Sequence, residues 1–324
     1  MIGYLLADYH HPYGRQATPN IQSWRGIYPA LCTPFGEDDA VDVEAQRRVV
    51  RFAIDAGAHG LVAFGLAGEV LKLSADERKL LTSVIVEEAE GQVPLFVGVG
   101  AESVSVSCEL AAYAEEAGAS CVVLPAPVSA RLGGDALVDY FVRIAERVSV
   151  PVMIQDAPAY LGQAVGAGTV LRVAEQAPNV RLVKLEAGPA ELSRWTADLG
   201  DEFAVWGGDA GMYVLDCLRN GAAGIIPGVD LVDLLVEIYE AEGTGDSPRA
   251  DELFRRVLTM LVFEIQLSID HFNAYAKHVL VRSGVLRNAR LREPASRFGD
   301  VSLRLLEAHL AALNLADVRA RTAG

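Results

Sequence analysis

PLFVGVGAESVSVSCELAAYAEEAGASCVVLP, residues 94–125, sets two short β-branched runs around one longer amphipathic run. The outer runs, PLFVGVG (94–100) and CVVLP (121–125), are apolar at consecutive positions, as strands buried on both faces must be. The middle run, SVSCELAAYAEEAG (105–118), has helical periodicity and stops at Gly118, the residue type best suited to a left-handed helix terminus. Strand, helix, strand is the unit of a parallel sheet.

The same alternation extends in both directions. IYPALC (27–32), GLVAFG (60–65), PVMIQD (151–156), VRLVKLE (180–186), FAVWGG (203–208) and AGIIPG (223–228) read as six further strands. Between them lie helical patterns such as VEAQRRVVRFAIDAG (43–57) and SADERKLLTSVIVEEAEG (74–91). Eight such units close most naturally into a (β/α)8 TIM barrel, an α/β fold. A doubly wound open sheet is the alternative, and no GxGxxG follows the first strand to support it.

The pattern predicts an N-terminal arm over 1–23, a barrel over 24–243 and a C-terminal helical region over 244–324, opened by the polar break GTGDSP (243–248). That last region reads as helices 249–269, 272–284 and 301–314, with Arg292, Glu293 and Pro294 in a connecting turn. These helices either cap the barrel or form a subunit interface.

The 324 residues are 51% hydrophobic and 22% charged, enough apolar material for a large core. A net charge of −15 argues against nucleic acid or an anionic membrane surface as partner. Cys32, Cys108, Cys121 and Cys217 are scattered without a CxxC pair, which reads as reduced thiols in a cytoplasmic protein. The opening stretch lacks the basic and apolar regions of a signal peptide, and no run reaches the roughly 20 apolar residues of a membrane helix. His10 and His11 read as polar filler, and no His/Asp/Glu cluster at the strand ends calls for a metal.

Barrels of this kind place chemistry at the C-terminal ends of their strands. Those ends carry Thr33 and Pro34, GLAGE (65–69), Gln155 and Asp156, Lys184 and Glu186, Gly207 to Asp209, and Pro227 and Gly228. Lys184 stands out, because only four of the 28 basic residues are lysines and this one ends an apolar run. It is either an edge residue with its charge in water or an amine, relieved of its proton, that attacks carbonyl carbon. The barrel geometry favours the second reading.

Taken in order, these residues resemble the dihydrodipicolinate synthase / N-acetylneuraminate lyase family of class I aldolases. The likeness runs from Gly26 to about Pro294. It rests on GIYPALCTPF (26–35) with Asp42, GLAGE (65–69) with Leu73, Ser74, Glu77 and Arg78, and Lys184. GGD (207–209), GIIPG (224–228), Lys277, Gly284 and the R-x-P of 292–294 complete it. The resemblance implies that Lys184 forms a Schiff base with the keto group of a small 2-keto acid, with Val183 and Leu185 beside it to desolvate the amine. The iminium would make neighbouring C–C or C–O bonds breakable without any further cofactor or metal. By the same resemblance Gly65, Leu66, Ala67 and Gly68 hold the substrate carboxylate, Gly207 and the carbonyl of Ile226 line the pocket, and the protein is a homo-oligomer, a dimer or tetramer.

The chain departs from the family where substrate is handled. The family's Tyr-Asn pair at the fifth strand, whose tyrosine relays protons, is Gln155-Asp156 here. Its GTTGE loop is GLAGE, so Leu66 and Ala67 offer backbone N–H groups but no hydroxyl. The arginine for the second substrate of lysine biosynthesis matches Tyr160, and the tyrosine pair after the fourth strand matches Ala126 and Pro127. Dihydrodipicolinate synthase activity itself is therefore disfavoured. QDAP (155–158) and KLE (184–186) look closer to dehydratases of 2-keto-3-deoxy sugar acids.

Several groups can replace the missing tyrosine. Glu186 shares the face of Lys184 and is an ion-pair partner or a catalytic base. Asp156 points into the site or caps the next helix. Tyr160 is a surrogate acid or packing, Gln155 can orient a water or hydroxyl, and Glu69 reads as structural. The expected activity is dehydration of a 2-keto-3-deoxy sugar acid, with retro-aldol cleavage to pyruvate and a non-catalytic keto-acid-binding barrel as the alternatives.

Overall fold

The computed structural model describes residues 21–265 and 268–313. The predicted arm up to residue 20, with His10 and His11, lies outside the described residues, as do 266–267 and 314–324.

All eight predicted strands are present. They are β1 (Gly26–Ile27), β2 (Leu61–Ala63), β3 (Leu95–Gly98), β4 (Cys121–Pro125), β5 (Val152–Asp156), β6 (Val180–Leu185), β7 (Ala204–Gly207) and β8 (Gly224–Ile225). They pair in parallel in the order β1-β8-β7-β6-β5-β4-β3-β2. Ala30 bridges both Val62 and Gly228, so the first and second strands also meet and the sheet closes into a (β/α)8 barrel. β1 and β8 are shorter than their apolar runs because Pro29 and Pro227 have no N–H to give the ladder.

The helices are α1 (Val43–Asp55), α2 (Ala75–Ala89), α3 (Val104–Ala117), α4 (Gly134–Ala145), α5 (Pro158–Leu161), α6 (Ala167–Gln176), α7 (Pro189–Leu199), α8 (Val214–Arg219) and α9 (Val232–Gly243) around the barrel. α10 (Ser247–Ile265), α11 (Ile269–Arg282) and α12 (Asp300–Leu313) follow. Local signals set the boundaries. Asp42 accepts a hydrogen bond from the Ala45 N–H at the start of α1, and Ser74 with Glu77 forms a capping box on α2. Ser268 accepts from the His271 N–H and starts α11 three residues before the predicted 272. The predicted helix 249–269 ends its described course at Ile265.

Inside the barrel Tyr28, Phe96, Met153, Leu182 and Trp206 pack together, with the Tyr28 and Trp206 rings 4.6 Å apart. This layer fills the interior below the C-terminal strand ends. Alternate strand residues, such as Val183 and Leu185, face outward and join the core shared with the helices.

The C-terminal region reaches back over the strand ends. Arg292 donates to both Glu77 carboxylate oxygens at 2.7 and 2.8 Å and to the carbonyls of Lys72 and Asp39. The Arg292 hydrogen bonds hold the Glu77 carboxyl at about 2. No helix among the described residues is long and apolar enough to cross a membrane.

Candidate active site

Period-two alternation on β6 sends Leu182, Lys184 and Glu186 to the barrel interior. The Lys184 side chain is 10% exposed, and its Nζ lies 2.6 Å from Oε1 of Glu186. Register pairs Lys184 with Gln155 on β5 and with Trp206 on β7. Gln155 donates from Nε2 to the same Glu186 oxygen at 3.3 Å. The other oxygen, Oε2, accepts the backbone N–H of Asp209. Glu186 is therefore fixed by donors from three strand ends.

The expectation that Val183 and Leu185 desolvate the amine is not met, because both face the outer core. What stands beside the amine instead is a carboxylate at hydrogen-bonding distance, able to accept the proton that a nucleophilic amine must lose.

Gly208 makes this arrangement possible. A Cβ there would stand 2.1 Å from Glu186 Oε2. Gly207, expected to line the pocket, does not: its missing side chain faces Ile225 and Cys217 in the outer core, where a Cβ would meet Ile225 Cδ1 at 2.9 Å. Asp156 does not reach the substrate pocket either, and takes the second of its two expected places, as a helix cap. It alternates outward from Gln155, and its carboxylate accepts the N–H groups of Val165 and Gly166 at 3.2 Å each, holding the start of α6. Both corrections follow from strand alternation, since Trp206 and Gln155 point inward and the next residue must point out.

Asp209 received no role from the sequence. It takes a left-handed conformation (φ 49°), as does Ala210 (φ 56°), which turns its carboxyl toward Tyr160. The Tyr160 hydroxyl donates to Asp209 Oδ1 at 3.0 Å. Burial first, and then the Glu186 charge, push the Asp209 carboxyl up to about 6, with Tyr160 and Lys184 pulling the other way. Burial and the same two carboxylates raise the Tyr160 hydroxyl.

The 65–69 loop closes another side. Leu66–Gly68 form a 3-10 turn, so the N–H groups of Leu66 and Ala67 open it without an intrahelical acceptor. Thr33 Oγ1 donates to the Gly68 carbonyl at 2.7 Å, and Asn273 Nδ2 to that of Leu66 at 3.2 Å. Glu69 is structural, as read, though mainly through charge. Its buried carboxylate lies 2.6 Å from Lys277 Nζ and 3.2 Å from Lys72 Nζ, and accepts the Arg292 N–H at 3.1 Å.

Two cavities meet at Lys184. The larger, about 220 Å³, runs from Lys184 and Gln155 past Gly65 and Leu66 toward Arg78. The smaller, about 40 Å³, is bounded by Leu66, Ala67, Tyr160, Glu186 and Ile226. Among the described residues no group of three or more His, Cys, Asp or Glu side chains is placed to hold a metal ion.

The model of the dihydrodipicolinate synthetase family matches residues 23–312. The 4-hydroxy-tetrahydrodipicolinate synthase of Methanopyrus kandleri is 32% identical over 239 residues, 72% of this chain and 79% of that protein. The L-2-keto-3-deoxyarabonate dehydratase of Azospirillum brasilense is 30% identical over 281 residues, 83% of this chain and 88% of that protein. Among solved structures, YagE of E. coli K12 in complex with pyruvate superposes with a TM-score of 0.84 at 26% identity, covering 90% of this chain and 99% of that one. With the family model spanning the whole barrel and the helices beyond it, this chain belongs to the dihydrodipicolinate synthetase family of lyases.

Proposed function

We propose that the protein is a class I lyase, working without metal or added cofactor, that forms a Schiff base between Lys184 and a small 2-keto acid and dehydrates a 2-keto-3-deoxy sugar acid. The observation that carries this reading is the Glu186 carboxylate 2.6 Å from the Lys184 amine, held in place by Gln155 and Asp209.

The chemistry runs through that carboxylate. Glu186 takes a proton from Lys184, the free amine adds to C2 of the keto acid, and Glu186 returns that proton to the keto oxygen, which leaves as water and frees the carboxylate. In the iminium that results, C3 lies two bonds from Nζ and its protons are acidified. Glu186 removes one, giving an enamine. The C4 hydroxyl, oriented by Gln155 in the larger cavity, then leaves with that proton as a second water. Hydrolysis of the iminium frees Lys184. The substrate carboxylate would occupy the smaller cavity, against the N–H groups of Leu66 and Ala67.

Resemblance to the A. brasilense dehydratase supports the dehydration step, and Gln155 in place of a relay tyrosine argues against dihydrodipicolinate synthase activity. Retro-aldol cleavage would use the same iminium, with Glu186 taking the C4 hydroxyl proton. The fold and the apolar C-terminal helices are compatible with a homo-oligomer in the cytoplasm. Product analysis on 2-keto-3-deoxypentonate tests the reading. Loss of water without release of pyruvate supports dehydration, whereas stoichiometric pyruvate would establish cleavage.

A further inference from the structure

The larger cavity is built for something other than a polyhydroxylated chain. Beyond Lys184 and Gln155 its walls are Phe64, Leu66 and Leu73 on one side and Val123, Ala126 and Leu161 on the other. Phe64, Val123, Ala126 and Leu161 are each buried to at least nine-tenths. Pro125 and Pro127 also line it and bring no N–H.

Two charged side chains stand at the far end, and both are engaged with backbone. Arg78 donates one N–H from each terminal nitrogen, to the carbonyls of Gly98 at 2.7 Å and Gly100 at 3.0 Å, and Nε is its one nitrogen without a partner. Glu102 accepts the N–H groups of Val128 at 2.7 Å and Ser129 at 2.9 Å, and the Ser129 hydroxyl. A hydroxyl carried between Gln155 and that end would leave water for an apolar wall, whereas a methylene would gain by the same move.

We infer that this cavity is a specificity subsite for an apolar substituent beyond C4 of the substrate, so that alkyl- or aryl-capped 2-keto-3-deoxy acids are preferred to polyhydroxylated ones. The inference rests on the Schiff-base reading of Lys184, because that bond fixes which end of the acid faces the cavity; it keeps the loss of the C4 hydroxyl and replaces the sugar tail of the proposed substrate with an apolar one. The volume of about 220 Å³ accommodates a substituent larger than the single hydroxymethyl group of a pentonate.

The test uses the wild-type protein and four acids: 4-hydroxy-2-ketopentanoate, 4-hydroxy-2-ketoheptanoate, 2-keto-3-deoxypentonate and 4-hydroxy-2-ketoadipate. Each is first trapped with borohydride, to establish that it reaches Lys184, and kcat/KM is then measured. The expected result is a rise of about fourfold for each methylene from pentanoate to heptanoate. A preference of about tenfold for the pentanoate over the pentonate is expected with it. Leu73→Ser, at the half-buried rim, should shrink the preference for the heptanoate. Equal or better use of the pentonate would overturn the inference while leaving the Schiff base intact. Preference for the adipate would overturn it too, and make Arg78 an anion-binding residue. Failure to trap any acid on Lys184 would instead remove the reading beneath it.

Discussion

Glu186 and Lys184 face the same barrel interior two residues apart, and the carboxylate that the strand brings to 2.6 Å from the amine is also the oxygen that Gln155 holds. One group thus serves both the making of the nucleophile and the proton transfer at C3. Glu186→Gln should lower kcat by about 10²–10⁴-fold, the range of a lost general base. Borohydride trapping of pyruvate should survive in that variant at a reduced rate, since Lys184 remains. A variant that keeps full turnover would show Glu186 to be only an ion-pair partner.

Gly208→Ala should act through Glu186. A Cβ 2.1 Å from Oε2 forces the carboxylate away from the amine. Turnover should fall while stability drops by about 1–3 kcal/mol, the usual cost of overpacking. In a double-mutant cycle with Glu186→Gln the losses in kcat should be strongly non-additive, because both changes remove the same group. Simple additivity would contradict the link.

Asp209 gives the fold a pH dependence. Its carboxyl stands at about 6, above the ordinary value near 4, so the native state favours the protonated form. That contribution is complete below pH 4 and is lost as pH rises through 6. Asp209→Asn keeps an acceptor for Tyr160 and removes the titration. Thermal melts from pH 4 to 7 should show the wild type losing stability relative to the variant, by on the order of 2 kcal/mol. A difference that stays flat across this range would contradict the assignment.

Lys277 and Glu69 are both fully buried, and their pair joins α11 to the 65–69 loop. Lys277→Met should cost about 3 kcal/mol, the low end for a broken buried pair, because Lys72 still faces Glu69. Urea unfolding measures it. Changing Glu69 to Gln in the same chain should recover part of the loss, since no buried charge is then left uncompensated.

The barrel was readable because eight apolar runs separated by amphipathic ones leave few other ways to bury both faces of a sheet. Lys184 was readable as a charge in such a run, and Glu186 as its neighbour at period two. The same alternation turns Asp156 and Gly207 outward, although both stand at strand ends. Gly208 and Asp209 were readable as strand-end candidates, but what they do was not. Their roles depend on the left-handed turn at 209–210 and on how closely a carboxylate from the adjacent strand approaches, and neither leaves a pattern in the chain. The apolar cavity was equally hidden, since its walls come from separate strand ends and loops that meet only in the fold.

Borohydride reduction in the presence of pyruvate, followed by intact mass and peptide mapping, tests the central claim most directly. The account predicts a single adduct on Lys184, with Lys72, Lys79 and Lys277 untouched. An adduct on another lysine, or none with pyruvate and larger 2-keto acids alike, would contradict it and leave Lys184 as a buried ion-pair partner of Glu186 in a barrel that binds without covalent chemistry.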